Sequence, residues 1–338
     1  MVAFPRGGHA ETVAPYVIRR VLWTLPVIFI VVTMVFFLMR SIGGDPLRHG
    51  PLVGLTSVGQ GRWQKYGDYQ PESIRRNQLH EFGLDLPWYE QYANYLEGVV
   101  TFDYGPSLTF RDRSVNEILE EQTPNSLQLA ALALLWALCL GIPLGVVAAF
   151  RHGSALDGVI RLISGAGLAL PVFFVATLLV YFLSLKLGLF PTNGWTQGWR
   201  YKVLPSFTLG LLPLAVCIRL VRGATIETMQ QEYVIAARGR GLRHRRVLWV
   251  HVLRNSLLPV LTVLGPMIGY LVTGSFIVEV LFSVPGISRY YVASILARDY
   301  TVVLGITVLL ALMIIVANLI VDIVQAYLDP RVRAPAAA

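Results

Sequence analysis

The sequence is poor in charge. Only 14% of its 338 residues are Asp, Glu, Lys or Arg, whereas 55% are hydrophobic and the mean hydropathy is +0.59. A water-soluble globular protein carries about 25% charged residues, so this chain has too few to cover a soluble surface. The shortage excludes an ordinary cytosolic enzyme and a disordered protein, and it indicates an integral membrane protein.

Residue types that build disulfide, nucleotide and metal sites are also scarce. The two cysteines, Cys139 and Cys217, lie in apolar runs, which predicts packing roles. None of the three lysines follows a glycine, so the chain has no phosphate-binding P-loop. The pair His80-Glu81 lacks the second histidine of a zinc-protease motif, because Leu84 stands where it would be. We therefore expect no catalytic residue, cofactor or metal in this chain.

Long hydrophobic runs, in contrast, are abundant. A membrane-spanning helix needs about 20 mostly apolar residues, and six stretches approach this length: 21–39, 125–150, the stretch between Arg161 and Lys186, 203–218, 255–278 and 300–321. The first run is too long for the core of a cleavable signal, so we expect a retained helix. The fourth contains Pro205 and Pro213, which neighbouring helices tolerate within a membrane.

The basic residues indicate the orientation. With a cytoplasmic N-terminus, the cytoplasmic segments hold 15 basic and six acidic residues, and the external segments hold 13 basic and 14 acidic residues. Basic residues concentrate on the cytoplasmic side of membrane proteins. The net charge of +8 is thus a topology signal. It predicts cytoplasmic termini and argues against a nucleic-acid partner.

The predicted external segment 41–124 is large, acidic and aromatic. It carries seven basic and twelve acidic residues and eleven aromatic rings. Within it Trp88, Tyr92, Tyr95 and Val99 have helical spacing, which predicts an amphipathic helix. Two interpretations stay open: a docking surface for an external partner, or a cap at the bilayer interface, where aromatic rings are favoured.

The predicted cytoplasmic segment 227–254 is strongly basic. Residues 231–238 predict a short helix, which Gly239 or Gly241 ends in the left-handed conformation. A second amphipathic helix is expected to follow, with Val247, Leu248, Val250 and Leu253 on its apolar side. The segment either docks a partner or lies on anionic lipid headgroups.

The spans contain few ionisable residues of the kind that ion-coupled transporters use near the membrane centre. Arg219, Glu279 and Asp322 lie near span ends. The interior instead holds helix-bending and close-packing residues, namely Gly141, Pro143, Gly145, Gly165, Gly167, Pro171, Gly265, Pro266, Gly269 and Gly274. This pattern favours energy input from a partner over a channel or secondary transporter, which remains the alternative class.

One cytoplasmic run points to a family. Residues 232–242 read Glu-Tyr-Val-Ile-Ala-Ala-Arg-Gly-Arg-Gly-Leu, and this run resembles the loop of an ABC importer permease, in particular the first permease subunit of the dipeptide, oligopeptide and nickel group. The likeness extends from about residue 16 to 333. Its other matches are Tyr16-Val-Ile-Arg-Arg, Gly44-Asp-Pro, Gly83-Leu-Asp-Leu-Pro-Trp-Tyr-Glu-Gln-Tyr92, Gly141-Ile-Pro-Leu-Gly145, Leu253-Arg-Asn-Ser-Leu-Leu-Pro259, Pro285-Gly286, Ala297-Arg-Asp-Tyr300 and Asp329-Pro-Arg331. Each match is weak alone, but their common order and spacing are specific.

The resemblance implies an all-α polytopic membrane protein with six transmembrane helices, the type I ABC importer permease fold, and a large external loop between helices one and two. It divides the chain into a cytoplasmic segment 1–20, a first helix 21–40, an external subdomain 41–124, a five-helix core 125–328 and a cytoplasmic tail 329–338. The cytoplasmic loop would form a coupling helix on an ATPase subunit. The implied coupling residues are Glu232, Tyr233, Ala236, Ala237, Arg238, Gly239, Arg240 and Gly241. Two positions depart from the family pattern: Ile235 replaces an acidic residue, and Gly239 precedes Arg240 where Ala-Lys is usual.

The resemblance also implies partners. They are a second homologous permease subunit, one or two kinds of ATP-binding cassette ATPase, an extracytoplasmic solute-binding protein and membrane lipid. ATP and Mg would be bound by the ATPase subunits. The location would be a bacterial or archaeal plasma membrane, and the cargo a short peptide, with nickel or another small solute as the alternative.

Overall fold

The computed structural model describes residues 13–41, 76, 79–80, 82–110, 113–243 and 246–328. These residues form helices and connecting turns. The helices are α1 Val13–Ser41, α2 Trp88–Thr101, α3 Val115–Phe150, α4 Ala155–Ala169, α5 Val172–Leu179, α6 Arg200–Met229, α7 Glu232–Gly239, α8 Leu258–Leu281, α9 Ile287–Ala297 and α10 Tyr300–Leu328. One π-helical turn, Val180–Lys186, directly follows α5. A second π-helical turn, Val247–Val252, directly precedes the short helix Leu253–Ser256. Residues 1–12, most of 42–81, 111–112, 244–245 and 329–338 lie outside the described residues, and with them most of the predicted N-terminal segment 1–20, part of the external segment 41–124 and the whole tail 329–338.

The predicted spans are present. Within the described ranges, five helices are long and apolar enough to cross a membrane: Val21–Ser41 of α1, α3, α6, α8 and Tyr300–Gln325 of α10. A sixth span results if the bent pair Ala155–Ala169 and Val172–Lys186 is counted as one. The described part of the chain thus agrees with the all-α polytopic fold.

The third predicted span is broken into two helical halves rather than continuous. Its two halves meet at 114°, between Leu170, whose ψ of 132° is extended, and Pro171. Proline disfavours helical conformation in the residue before it. The bend therefore has a local cause. The fourth span, α6, is in contrast continuous through Pro205 and Pro213.

The chain divides into two compact units. The first comprises Met1–Thr24, Leu129–Phe282 and Met313–Ala338, and the second comprises Leu25–Gln128 and Ser283–Leu312. The division predicted from the sequence instead separates cytoplasmic, membrane-spanning and external segments. It stays a prediction.

Glycines set the helix spacing in the first unit. A methyl group on Gly141 of α3 would lie 2.8 Å from Cys217 Cβ of α6, and one on Gly145 would lie 2.7 Å from Val221 Cβ. One on Gly210 of α6 would lie 2.6 Å from the Ala133 carbonyl oxygen. Small residues at i and i+4 allow helix backbones to approach in a membrane. The Gly141-Ile-Pro-Leu-Gly145 motif therefore forms the seam between α3 and α6.

An ion pair joins α4 to α6 in the same unit. Arg222 donates from Nε to Asp157 Oδ1 at 2.6 Å and from Nη2 to Oδ2 at 2.9 Å. Asp157 is 2% exposed and also accepts a bond from the Gly153 N–H at 3.0 Å. The two-point geometry fixes the rotation of α4 against α6.

The second unit packs the predicted aromatic helix onto the C-terminal half of α1. Helix α2 is present, as its spacing predicted. The Phe36 ring contacts the rings of Tyr92 and Tyr95, and the Tyr92 hydroxyl lies 2.6 Å from Thr33 Oγ1. Burial raises the pKa of the Tyr95 hydroxyl well above its ordinary value. Tyr92 and Tyr95 are half-buried against α1, whereas Trp88 of the same predicted face is 49% exposed and contacts only the edge of this packing, with its ring 5.8 Å from that of Phe37.

A buried carboxylate anchors the second unit before α10. Asp299 is fully buried, and its Oδ2 accepts bonds from Ser107 Oγ at 2.5 Å and the Thr109 N–H at 2.9 Å. Its Oδ1 accepts bonds from Thr301 Oγ1 at 2.9 Å and the Val302 N–H at 3.2 Å. One side chain thus caps the start of α10 and holds the loop residues 107–109.

We expect Asp299→Ala to destabilise the protein by about 3 kcal/mol, because it leaves buried donors without an acceptor. A lower melting temperature of the purified protein in detergent checks this. Glu90→Ala, which removes an exposed carboxylate of the same unit, is the control and should change little. Equal melting temperatures for the two variants would contradict the anchoring role.

Candidate functional site

The candidate coupling segment is a short helix that follows the C-terminal end of α6. Helix α6 ends at Met229, and a two-residue turn leads into α7. The Gln230 and Gln231 N–H groups bond to the Glu227 and Thr228 carbonyls, at 3.1 and 3.2 Å. The turn therefore leaves only two residues between α6 and α7.

Helix α7 has a buried face that packs against its own chain, called the inner face, and an exposed face, called the outer face. On the inner face Val234 is fully buried and Ala237 is 6% exposed. These two side chains form one cluster with Val247 and Val252 of the next segment. We expected Ala237 among the residues that meet a partner, but its side chain faces this internal cluster instead.

The outer face carries the remaining predicted residues. Its exposed members are Glu232, Tyr233, Ile235, Ala236, Arg238, Gly239 and Arg240. Ile235, which departs from the family pattern, is 58% exposed. An apolar side chain in water is unfavourable, so this face is suited to contact with another surface.

The end of α7 resolves the two alternatives left by the sequence. Gly241 has a φ of +76° and is the residue in the left-handed conformation. Its N–H bonds to the Arg238 carbonyl at 2.9 Å, and the Arg240 N–H bonds to Ala236 at 3.0 Å. Gly239 is instead the last helical residue. Gly241 therefore acts by shaping the backbone.

The segment after α7 has a different register from the predicted amphipathic helix. Val247 and Val252 are each 1% exposed, whereas Val250 is 54% exposed. The prediction that Val250 lies on the buried side was therefore wrong. The reason is the π-turn, which Val247–Val252 forms. Its i to i+5 hydrogen bonds bring residues five apart onto one face.

A cavity of about 1160 Å³ lies beside the coupling segment in the first unit. Its rim includes Tyr233, whose hydroxyl oxygen accepts a bond from Asn255 Nδ2 at 2.6 Å. Sequence reasoning missed the role of Asn255, although it belongs to the quoted 253–259 run. The walls combine polar groups from five helical elements and the turn after α6: Glu227, Thr228, Gln231, His251, Arg254, Thr262 and Gln325.

The described ranges contain no group of three or more His, Cys, Asp or Glu side chains that could hold a metal ion. The geometry of the segment is that of a docking element and a polar cavity.

The curated relatives of this chain match it over nearly its whole length. A family model described as binding-protein-dependent transport system inner membrane component matches residues 141–334. The dipeptide transport system permease protein DppB of Bacillus subtilis (strain 168) is 35% identical over 320 residues, covering 95% of this chain and 98% of that protein. The oligopeptide transport system permease protein OppB of Haemophilus influenzae is 35% identical over 319 residues, covering 94% and 99%.

Solved structures support the fold. A chain of the MetNI methionine ABC transporter, in inward-facing conformations, has a TM-score of 0.51 and 13% identity, covering 63% of this chain and 96% of that chain. A second crystal form of the same transporter gives a TM-score of 0.52 at 15% identity, with the same coverage. The family match spans more than half of the chain and the relatives match nearly all of it. The chain therefore belongs to the binding-protein-dependent transport system inner membrane component family, the multi-pass permease subunits that work with the ATPase and binding protein of an ABC importer.

Proposed function

We propose that this chain forms half of the translocation path for short peptides, paired with a second homologous permease and two ATPase subunits. The names of the relatives, dipeptide and oligopeptide permeases, support this cargo over nickel or another small solute. The observation that carries the proposal is the exposed outer face of α7, which follows the long, continuous helix α6 after a two-residue turn.

The outer face of α7 is the proposed ATPase contact. Ile235 and Ala236 would enter a groove of the ATPase, while Arg238 and Arg240 would meet acidic groups on its rim. Glu232, Tyr233 and Gly239 border this contact. Ala237 and Gly241 would act indirectly, by holding α7 on the Val247–Val252 turn and by ending it.

ATP and Mg would be bound by the ATPase subunits, because the sequence contains no P-loop. Closure of the two ATPases would move both coupling helices and bias the bundle outward, and hydrolysis would reset it. This mechanism requires a rigid link between the contact and the spans. The link is supplied by the two-residue turn after Met229 and by the glycine seam between α3 and α6.

The cavity beside Tyr233 is the proposed cytoplasmic mouth of the path. A short peptide carries an ammonium group and a carboxylate, and the cavity offers Glu227 and Arg254 on its walls. Amide and hydroxyl groups between them suit the peptide backbone. This wall chemistry fits a zwitterionic peptide better than it fits a metal ion.

The proposed topology puts both termini and α7 in the cytoplasm, which agrees with the distribution of basic residues. The solute-binding protein would then dock on the outer side. Exposed apolar side chains at Trp88, Tyr89, Val100 and Phe102 provide part of that surface. The two earlier interpretations of this region, docking surface and interfacial cap, are compatible at α2.

Affinity purification of the tagged chain from its native host tests the proposal. In mild detergent we expect a second permease, P-loop ATPases and a binding protein to co-purify. Peptides eluted from that binding protein would identify the cargo. A lone or self-paired chain that still transports without an ATPase would overturn the proposal in favour of a channel or secondary transporter.

A further inference from the structure

A second cavity of the first unit, of about 590 Å³, lies between α4 and α6. Three arginines line it: Arg161 from α4, and Arg219 and Arg222 from α6. The remaining lining is small or apolar and includes Ser164, Gly165, Leu168, Ala169 and Ile218. No acidic side chain lines this cavity, so it is a cationic pocket with an apolar floor.

The charges of this pocket are only partly compensated. Asp157, which does not itself line the pocket, binds Arg222 through both of its carboxylate oxygens. Within the described part of the chain, Arg161 and Arg219 form no ion pair. Three guanidinium groups therefore face one carboxylate, and the pocket has an excess of two positive charges.

The arginines of the pocket lie near the helix ends that the proposed topology puts on the cytoplasmic side. Arg161 lies six residues after the start of α4, about 9 Å along the helix, and Arg219 lies ten residues before the end of α6, about 15 Å. Next to Arg161 on α4, the side chains of Val159, Leu162 and Ile163 are 51%, 74% and 57% exposed. Acyl chains would cover these residues while a phosphate reached the arginines.

We propose that this cavity binds the phosphate headgroup of an anionic phospholipid from the cytoplasmic leaflet. The inference rests on the proposed topology, because that leaflet carries anionic lipid and basic pockets between membrane helices on this side recognise it. Arg161 and Arg219 would bind the phosphate, and Asp157 would keep Arg222 in position beside them. The bound lipid would link α4 to α6, the helix that continues into the coupling segment.

The test is a titration of the delipidated complete transporter with phosphatidylglycerol, with bound lipid counted by native mass spectrometry. R161Q/R219Q should weaken binding at this site about 25-fold, since each arginine near an anionic lipid contributes about a factor of five. Phosphatidylcholine binding should not change, and R161K/R219K should restore most of the affinity. R151Q/R243Q, which removes two exposed arginines that do not line the cavity, should bind like the parent.

Three results would overturn the proposal. They are unchanged affinity in R161Q/R219Q, equal losses in both glutamine pairs, and displacement of the lipid by inorganic phosphate, which would identify a free anion as the ligand. Topology is checked separately with His152→Cys in the turn before α4, labelled by a membrane-impermeant reagent in sealed vesicles of known orientation. Labelling from the external side would reject the topology, whereas cytoplasmic labelling without a lipid effect would reject the lipid site alone.

Discussion

Ala236→Trp is expected to reduce ATP-driven uptake by at least about tenfold while leaving membrane insertion and stability unchanged. Ala236 is exposed on the outer face of α7, so the larger side chain meets no part of its own chain. It would instead occupy the proposed ATPase contact, and loss of about 1.4 kcal/mol of docking free energy corresponds to a factor of ten. Uptake by proteoliposomes and co-purification of the ATPase measure the two effects.

Two variants make this experiment specific. Ala155→Trp introduces the same change at another exposed alanine, at the start of α4, and should leave uptake intact. Ala237→Trp should instead lower the melting temperature, because Ala237 is 6% exposed and packs against Val247 and Val252. Full uptake by Ala236→Trp would contradict the coupling role of the outer face.

Gly145→Leu is expected to prevent stable folding. A methyl group at Gly145 would already lie 2.7 Å from Val221 Cβ and 2.9 Å from the Ile218 carbonyl oxygen. Since the backbone oxygen cannot move without displacing α6, a leucine must separate α3 from α6. Overpacking of this kind costs about 1–3 kcal/mol or more. The monodisperse fraction in size-exclusion chromatography should therefore fall about tenfold or more.

Gly223→Leu is the matched control, because it makes the same substitution in α6 at a position where an added methyl group has open space. It should yield a normal monodisperse peak. Gly145→Ala should give an intermediate yield, since only the first carbon must be accommodated. If Gly145→Leu were as stable as Gly223→Leu, the seam would not determine the packing of α3 on α6.

Hydrophobic run length and aromatic spacing predicted much of this fold. The apolar runs marked the spans, and Trp88, Tyr92 and Tyr95 marked α2, because burial against a membrane or a partner helix imposes a period that the sequence must show. The bend before Pro171 was only partly foreseeable. The proline permitted a break, but Pro205 and Pro213 show that a proline can also remain within a continuous helix.

The candidate site was predicted in position but not in detail. The 232–242 run located α7, yet the sequence did not show that Ala237 faces inward and Ala236 outward. That orientation depends on the Val247–Val252 π-turn, and no residue type signals a wider helical turn. Because of the same turn, Val252 lies on the buried side of this segment, where Val250 was expected. Asn255 was missed because its partner, Tyr233, is distant in sequence.

Reconstituted transport tests the central claim most directly. The complete complex, with its ATPases and binding protein, would be placed in vesicles, and uptake of a labelled dipeptide would be followed with and without ATP on the side that faces α7. We predict uptake only when ATP, the ATPases and the binding protein are all present. Uptake by this chain alone, driven by an ion gradient without ATP, would contradict the account.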